Sequence, residues 1–170
     1  SASIAIGGSG ASGAASPSFA NGAVKYIKVT NNGSTHFTTS GYAQSGTSST
    51  IKLAASDSQP DDFYNGMRIT VYTGTGYGNT GIIADYVAST KTASVQKENG
   101  TAGFDVFVNS GLSAATSFDT TSGYEIEPRV AISGGGSPSR NALARAVVEN
   151  QQVSKILILD GGAGYSSAPT

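Results

Sequence analysis

The pattern that opens this chain returns near its end, and that repetition limits the fold more than any other feature. Ile4-Ala5-Ile6-Gly7-Gly8 leads through a Gly/Ala/Ser run to Val24, Ile27 and Val29 and the turn Asn31-Asn32-Gly33. Val130-Ala131-Ile132-Ser133-Gly134-Gly135-Gly136 leads through an Ala-rich run to Val153, Ile156 and Ile158 and then Asp160-Gly161-Gly162. Val24, Ile27 and Val29 each lie 129 residues before Val153, Ile156 and Ile158, whereas Ile4 lies 126 before Val130, so the second copy is three residues longer in its middle. Three hydrophobic positions and a turn held at one offset mark an internal repeat, and residues 3–37 and 129–167 are expected to share one local fold. The second copy stops inside Gly164-Tyr165-Ser166-Ser167-Ala168-Pro169-Thr170, as a segment of a larger modular protein would.

Composition narrows the class. Charged residues are 12% of the chain, about half the usual share, and 23 residues are Gly. Short alternating runs of branched apolar residues argue against disorder and for many strands joined by Gly/Ser/Thr/Asn turns. Ten basic and eleven acidic residues leave a net charge of -1 without a Lys/Arg cluster, which argues against a nucleic-acid partner. No apolar run has the length to span a bilayer, so no membrane partner is expected. Zero Cys removes disulfides and thiolate metal sites.

The fold class read from these signals is all-β: a small β-barrel or sandwich flanked by two copies of a short glycine-rich β repeat. Residues 1–38 hold the first repeat, with strands at 2–6 and 24–30 and a small, flexible stretch at 7–22 in which Ser18-Phe19-Ala20 precedes an Asn21-Gly22 turn. Residues 39–50 read as a Ser/Thr/Gly-rich connector. Residues 51–128 read as the central module, with strands at 68–72, 82–87, 92–96, 104–108 and 123–127. Alternation assigns Ile69, Val71, Ile82, Val87, Val95, Phe104, Val106 and Ile126 to its core, with Arg68, Thr70 and Tyr72 on the opposite face of their strand. Residues 129–170 are the second repeat. Residues 141–149 have helical propensity, but a shared fold with the first copy predicts a strand.

Few residues suggest chemistry. Gly76-Tyr77-Gly78-Asn79-Thr80-Gly81 matches GxGxxG after a strand, but a strand-like run follows where the dinucleotide fingerprint needs a helix, so 74–81 reads as a hairpin loop. His36 is the only histidine, and no GxSxG nucleophile turn accompanies it. Asp61/Asp62 read as turn residues, Glu125/Glu127 as neighbours on one strand face, and Asp160 as a turn residue rather than a calcium ligand. Asn32-Gly33-Ser34 and Asn99-Gly100-Thr101 fit the glycosylation sequon but read as hairpin turns. No catalytic, metal or cofactor-binding residue is assigned, and no cofactor is expected. Tyr72, Tyr77 and Tyr86 are the candidates for stacking on a glycan.

Three stretches resemble known proteins. Ile51-Lys52-Leu53-Ala54-Ala55-Ser56 with Asp61-Asp62-Phe63-Tyr64-Asn65-Gly66-Met67, then Ile69-Thr70 and Gly74-Thr75-Gly76, resemble a β module of tailed-bacteriophage virion proteins, found in tail-fibre and baseplate-associated subunits. Thr121-Ser122-Gly123-Tyr124-Glu125-Ile126-Glu127-Pro128 resembles the strand that closes that module. The flanking Val-Ala-Ile-Ser-Gly-Gly-Gly and Gly-Gly-Ala-Gly-Tyr-Ser-Ser-Ala-Pro-Thr pieces resemble a Gly-Tyr-Thr-x-Ala-Pro repeat of large phage and bacterial surface proteins. The resemblance implies a non-enzymatic structural subunit of a virion, without a cofactor, whose partners are copies of itself and neighbouring virion subunits. A homo-oligomer is expected, because each repeat has too few large apolar residues to close a core unaided and needs a neighbour, either the other repeat of the same chain or a copy in another subunit. The alternatives are a carbohydrate-binding or host-adhesion module with a host-surface glycan as partner, and a subunit of an extracellular filament at a cell surface.

Overall fold

The computed structural model describes residues 4–6, 12–18, 23–31, 36–106 and 111–167, and every regular element among them is a β-strand. The chain divides into two compact units, one made of residues 1–37 with 127–170 and the other of residues 38–126. In chain order the first repeat supplies β1 (Ile4–Ile6), β2 (Ser12–Ser18) and β3 (Ala23–Asn31). The middle of the chain supplies β4 (Thr39–Tyr42), β5 (Ser45–Thr47), β6 (Thr50–Lys52), β7 (Arg68–Thr73) and β8 (Asn79–Val87). It continues with β9 (Thr92–Gln96), β10 (Asp105–Val106), β11 (Ser117–Phe118) and β12 (Gly123–Glu127). The second repeat supplies β13 (Val130–Ala131), β14 (Leu143–Glu149) and β15 (Gln152–Asp160).

The two repeats agree strand for strand. In the β2–β3 hairpin Ala15 faces Ile27 and Gly13 faces Val29; in the β14–β15 hairpin Ala146 faces Ile156 and Ala144 faces Ile158. Both hairpins also break register at matching places, between Ser12/Gly13 and Ser16/Pro17 in one and Leu143/Ala144 and Val147/Val148 in the other. The helix propensity of 141–149 therefore loses to pairing with β15. Inside 7–22, read as flexible from its Gly and Ser content, Ser12–Ser18 is the strand that pairs with β3. Phe19 and the Asn21-Gly22 turn lie outside the described residues.

The repeats share a single core. Val24 and Ile27 of the first are buried with Val130, Ala142, Ala144, Ala146, Val153, Ile156 and Tyr165 of the second. The Val24 amide donates to the Gly161 carbonyl at 2.7 Å and the His36 amide to the Gln151 carbonyl at 3.0 Å, so the end of each repeat is tied to the other. The small apolar set of each repeat is covered by its sister copy within the same chain.

The unit of residues 38–126 is one curled antiparallel sheet in the order β11-β5-β6-β9-β8-β7-β12-β4, with β10 also on β8. β4 and β5 lie toward opposite ends of that order yet are joined by Ala43 and Gln44, whose amides donate to Ser122 and Lys52 carbonyls. Residues 39–47 thus bring the two ends of the sheet together, and the stretch read as a connector is built of strands. Its linker-like glycines have a packing reason. A Cβ on Gly41 would lie 2.8 Å from the Tyr124 hydroxyl, and one on Gly46 would lie 2.8 Å from the Phe118 ring.

Ile69, Val71, Ile82, Val95, Phe104 and Ile126 are buried as alternation requires, but Val106 is half-buried and Val87 is exposed. The reason is a β-bulge between Ile83 and Asp85. Ile83 faces Val95 and Tyr86 faces Ala93, so, counted from Ile83, the extra residue sends Tyr86 into the core where plain alternation would send Val87, while Ile82, opposite Gln96, is buried on the other face of β8. Arg68 and Thr70 are buried as well, because β7 is covered on both faces in its first half. Ile69→Ala should cost about 2–4 kcal/mol and Val87→Ala less than about 0.5 kcal/mol. Urea denaturation of both variants checks this, and equal losses would contradict the bulge.

Candidate functional site

Two exposed aromatic residues of the 38–126 unit, Tyr42 and Tyr72, flank Gly123. On β4, Tyr42 pairs with Gly123 across the strands, and β7 carries Tyr72 on the other side of β12. Tyr42 is 57% and Tyr72 43% exposed. A Cβ on Gly123 would lie 3.3 Å from both rings and 2.4 Å from Thr73 Cγ2, so only glycine leaves the tyrosines and Thr73 in place. Two partly exposed rings thus stand on either side of the buried Gly123 backbone, and together they offer aromatic surface to solvent. Tyr42 was not among the sequence candidates; its alternation with Gly41 in a Ser/Gly-rich stretch was the available signal.

The other two candidates part company. Tyr77 is 54% exposed beside Leu112 on a groove formed by residues 74–79 and 112–117. Tyr86 is buried, and this removes it as a glycan-stacking residue. Its hydroxyl donates to Asp57 Oδ1 at 2.6 Å while Tyr64 donates to Oδ2 at 2.5 Å, and the two rings pack edge to face. The Ala54 amide donates to the Tyr124 hydroxyl at 3.0 Å, and Lys91 Nζ donates to the Asp57 carbonyl. Three buried tyrosines therefore anchor residues 54–57 beside a polar cleft of about 150 Å³ lined by Ser40, Ser56, Asp57, Ser58 and Gln59.

Burial, followed by the hydrogen bond to the Asp57 carboxylate, raises the Tyr64 and Tyr86 hydroxyls well above the ordinary tyrosine range. Burial raises Tyr124 too, against the opposing hydrogen bond from Ala54. A raised folded value means stability fully present below the unfolded tyrosine pKa of about 10 and lost as pH rises past it. Stability should fall above pH about 10, and the Tyr64→Phe/Tyr86→Phe variant, less stable at neutral pH, should fall less steeply. Urea midpoints from pH 7 upward test it; parallel losses in both proteins would contradict it.

The remaining sequence candidates have structural roles. Residues 74–78 join β7 to β8 with positive φ at Gly74, Gly76 and Gly78, and a strand follows. The loop is pinned by Asp119, which accepts from the Thr75 and Thr121 hydroxyls at 2.6 Å each; these bonds hold the Asp119 carboxyl below the usual range. Asp61 accepts from the Ala88 amide and Asp62 from the Asn65 side chain. Asn99 accepts from the Thr101 amide in a turn whose Gly100 has φ 83°; Asn32 lies outside the described residues. Asp160 accepts from Arg140 Nε and Nη2 at 3.1 Å and from the Gly162 amide at 2.8 Å, which makes it a turn clamp. Glu127 is fully buried with Arg145 3.3 Å away, whereas Glu125 is half-buried. His36 is buried at the position equivalent to Tyr165, 129 residues later, and burial lowers its pKa. Among the described residues no group of three or more His, Cys, Asp or Glu could hold a metal ion.

No protein-family model matches this chain, and no curated protein or solved structure matches it.

Proposed function

We propose that this chain is a structural subunit of a phage-like virion, in the tail, baseplate or fibre, and that it works through self-assembly and contacts with neighbouring subunits. The observation that carries the reading is the pairing, within one chain, of two similar repeats through equivalent strands and equivalent apolar residues, which is how symmetric subunits associate. The polar groups that sequence offered as reactive hold turns and loops, which suits a part whose work is mechanical. The resemblance of residues 51–128 and of the flanking repeats to virion modules points the same way. Mass measurement of the isolated protein at micromolar concentration tests the reading. An oligomer or polymer joined over about 1,000 Å² or more of surface is expected; a stable monomer over the whole range would overturn it.

A second reading, a carbohydrate-binding module, is favoured by Tyr42 and Tyr72 on either side of Gly123. A glycan array should then give binding that Tyr42→Ala and Tyr72→Ala each weaken, by about 0.5–1.5 kcal/mol for a lost aromatic stack. Binding that survives both substitutions would remove these tyrosines from the reading.

A further inference from the structure

The pairing of β1 with β13 has an unusual symmetry. Ala5 faces Ala131 and Ile6 faces Val130. By the repeat offset of 126, Ala5 is the counterpart of Ala131, Ile4 of Val130 and Ile6 of Ile132. Exchanging the two strands therefore maps the Ala5/Ala131 pair onto itself and keeps the register, which places a local two-fold axis at that pair. The surrounding strands obey the same axis. In the first repeat Ile4 faces Gly13 and Ala5 faces Ser12. In the second, the bridge between Arg129 and Arg145 lies in the same register, since each of its numbers follows from extending the first pairing by one step and adding 126 and 131. The hairpins match down to their register breaks, and Val24 and Ile27 meet Val153 and Ile156 in one core.

Each repeat thus meets the other through the same surface, an isologous contact of the kind that joins separate subunits. Nothing in such a contact requires both halves to belong to one chain. The covalent connection between them runs through residues 38–126, which form a compact unit of their own. A repeat parted from its sister exposes its buried valines and isoleucines, and the surface that covers them best is another repeat.

We infer that the joint between the two repeats is also a joint between chains: β1 of one molecule pairs with β13 of a second in the Ala5/Ala131 register, so the partner is a second copy of this chain. Reciprocal exchange closes a dimer, and one-way exchange propagates a head-to-tail polymer. The inference rests on the assembly reading and names its interface.

Cysteine cross-linking of the full chain tests it, because the chain has no cysteine of its own. Directly opposed Cα atoms of an antiparallel pair lie about 4.5–5.5 Å apart, within disulfide range. Ala5→Cys and Ala131→Cys chains, unfolded together, refolded at high concentration and oxidised, should give a disulfide-linked heterodimer. Its yield should exceed, by about tenfold, that of Ala131→Cys mixed with Ser89→Cys, an exposed site outside the joint, because pairing raises the local thiol concentration. The double variant Ala5→Cys/Ala131→Cys should form the bridge within one chain at low concentration. If the double variant closes but the mixture gives no more dimer than the control, the joint is intrachain only and the inference fails. If the double variant does not close, the pairing itself is wrong. Oligomers by mass without this cross-link would leave the assembly reading intact and overturn this interface alone.

Discussion

Glu98→Ala is expected to lower the stability of the 38–126 unit by about 3 kcal/mol, near the lower end for removing one partner of a buried ion pair. The Arg68 side chain is 1% exposed and donates to the Thr80 hydroxyl at 3.1 Å, while its other terminal nitrogen is paired with the Glu98 carboxylate. A guanidinium does not shed its proton, so it cannot escape by becoming neutral. Glu98 is 21% exposed, and the water that reaches it holds the loss toward the lower end of the range. The Arg68→Met/Glu98→Ala variant should recover most of the loss, because a buried pair replaced by an apolar chain of similar length is often neutral. Thr80 keeps partners in that variant, since its hydroxyl also meets Thr70 and the Ile69 carbonyl. Urea unfolding of the three proteins decides the matter. A Glu98→Ala protein within about 0.5 kcal/mol of the parent, the ordinary scatter of surface changes, would mean that the pair carries no such energy.

Arg145→Ala should destabilise the unit of the two repeats by a similar amount, about 3 kcal/mol. Glu127 is fully buried and Arg145 Nη2 lies 3.3 Å from its Oε2. Arg145 sits on β14 where the chain forms its bridge to Arg129, so the pair ties Glu127, just before the second repeat, to the hairpin of that repeat. Removing the guanidinium takes an ion-pair partner from a fully buried carboxylate, which is the costly way to break such a pair. Glu127→Gln should cost less, about 1–2 kcal/mol, because an amide keeps hydrogen bonding without a buried charge. The chain has two units, so thermal unfolding is to be read as two transitions, of which only one should move. A shift of the other transition would place the pair's effect elsewhere.

The repeat was legible before any coordinates. The offset between Val24 and Val153, Ile27 and Ile156, and Val29 and Ile158 reappears as matching burial and matching hairpin register. The strand at 143–149 followed from that equivalence against its own helical propensity, and the loop read at 74–81 followed from its glycines, three of which have positive φ, although residues 79–81 already belong to β8. Local signals of this sort are carried by side-chain period and by the φ that glycine permits, and both are written residue by residue.

Tertiary structure decided what depends on partners distant in the chain. Tyr86 belongs to the core rather than to a glycan-stacking surface because one bulged residue reverses the faces of β8, and no residue at 82–87 announces a bulge. Arg68 is buried because Glu98 and Thr80 come to meet it, and Tyr124 because the Ala54 amide, 70 residues away, reaches its hydroxyl. Residues 39–47 look like a linker in composition, yet Gly41 and Gly46 are there to admit the Tyr124 and Phe118 side chains. The repeat pattern determined that two alike pieces exist. Only the fold determined that they cover each other about a local two-fold axis, since the same short apolar sets would be satisfied equally by a sister copy or by another chain, and sequence has no measure of distance between the two.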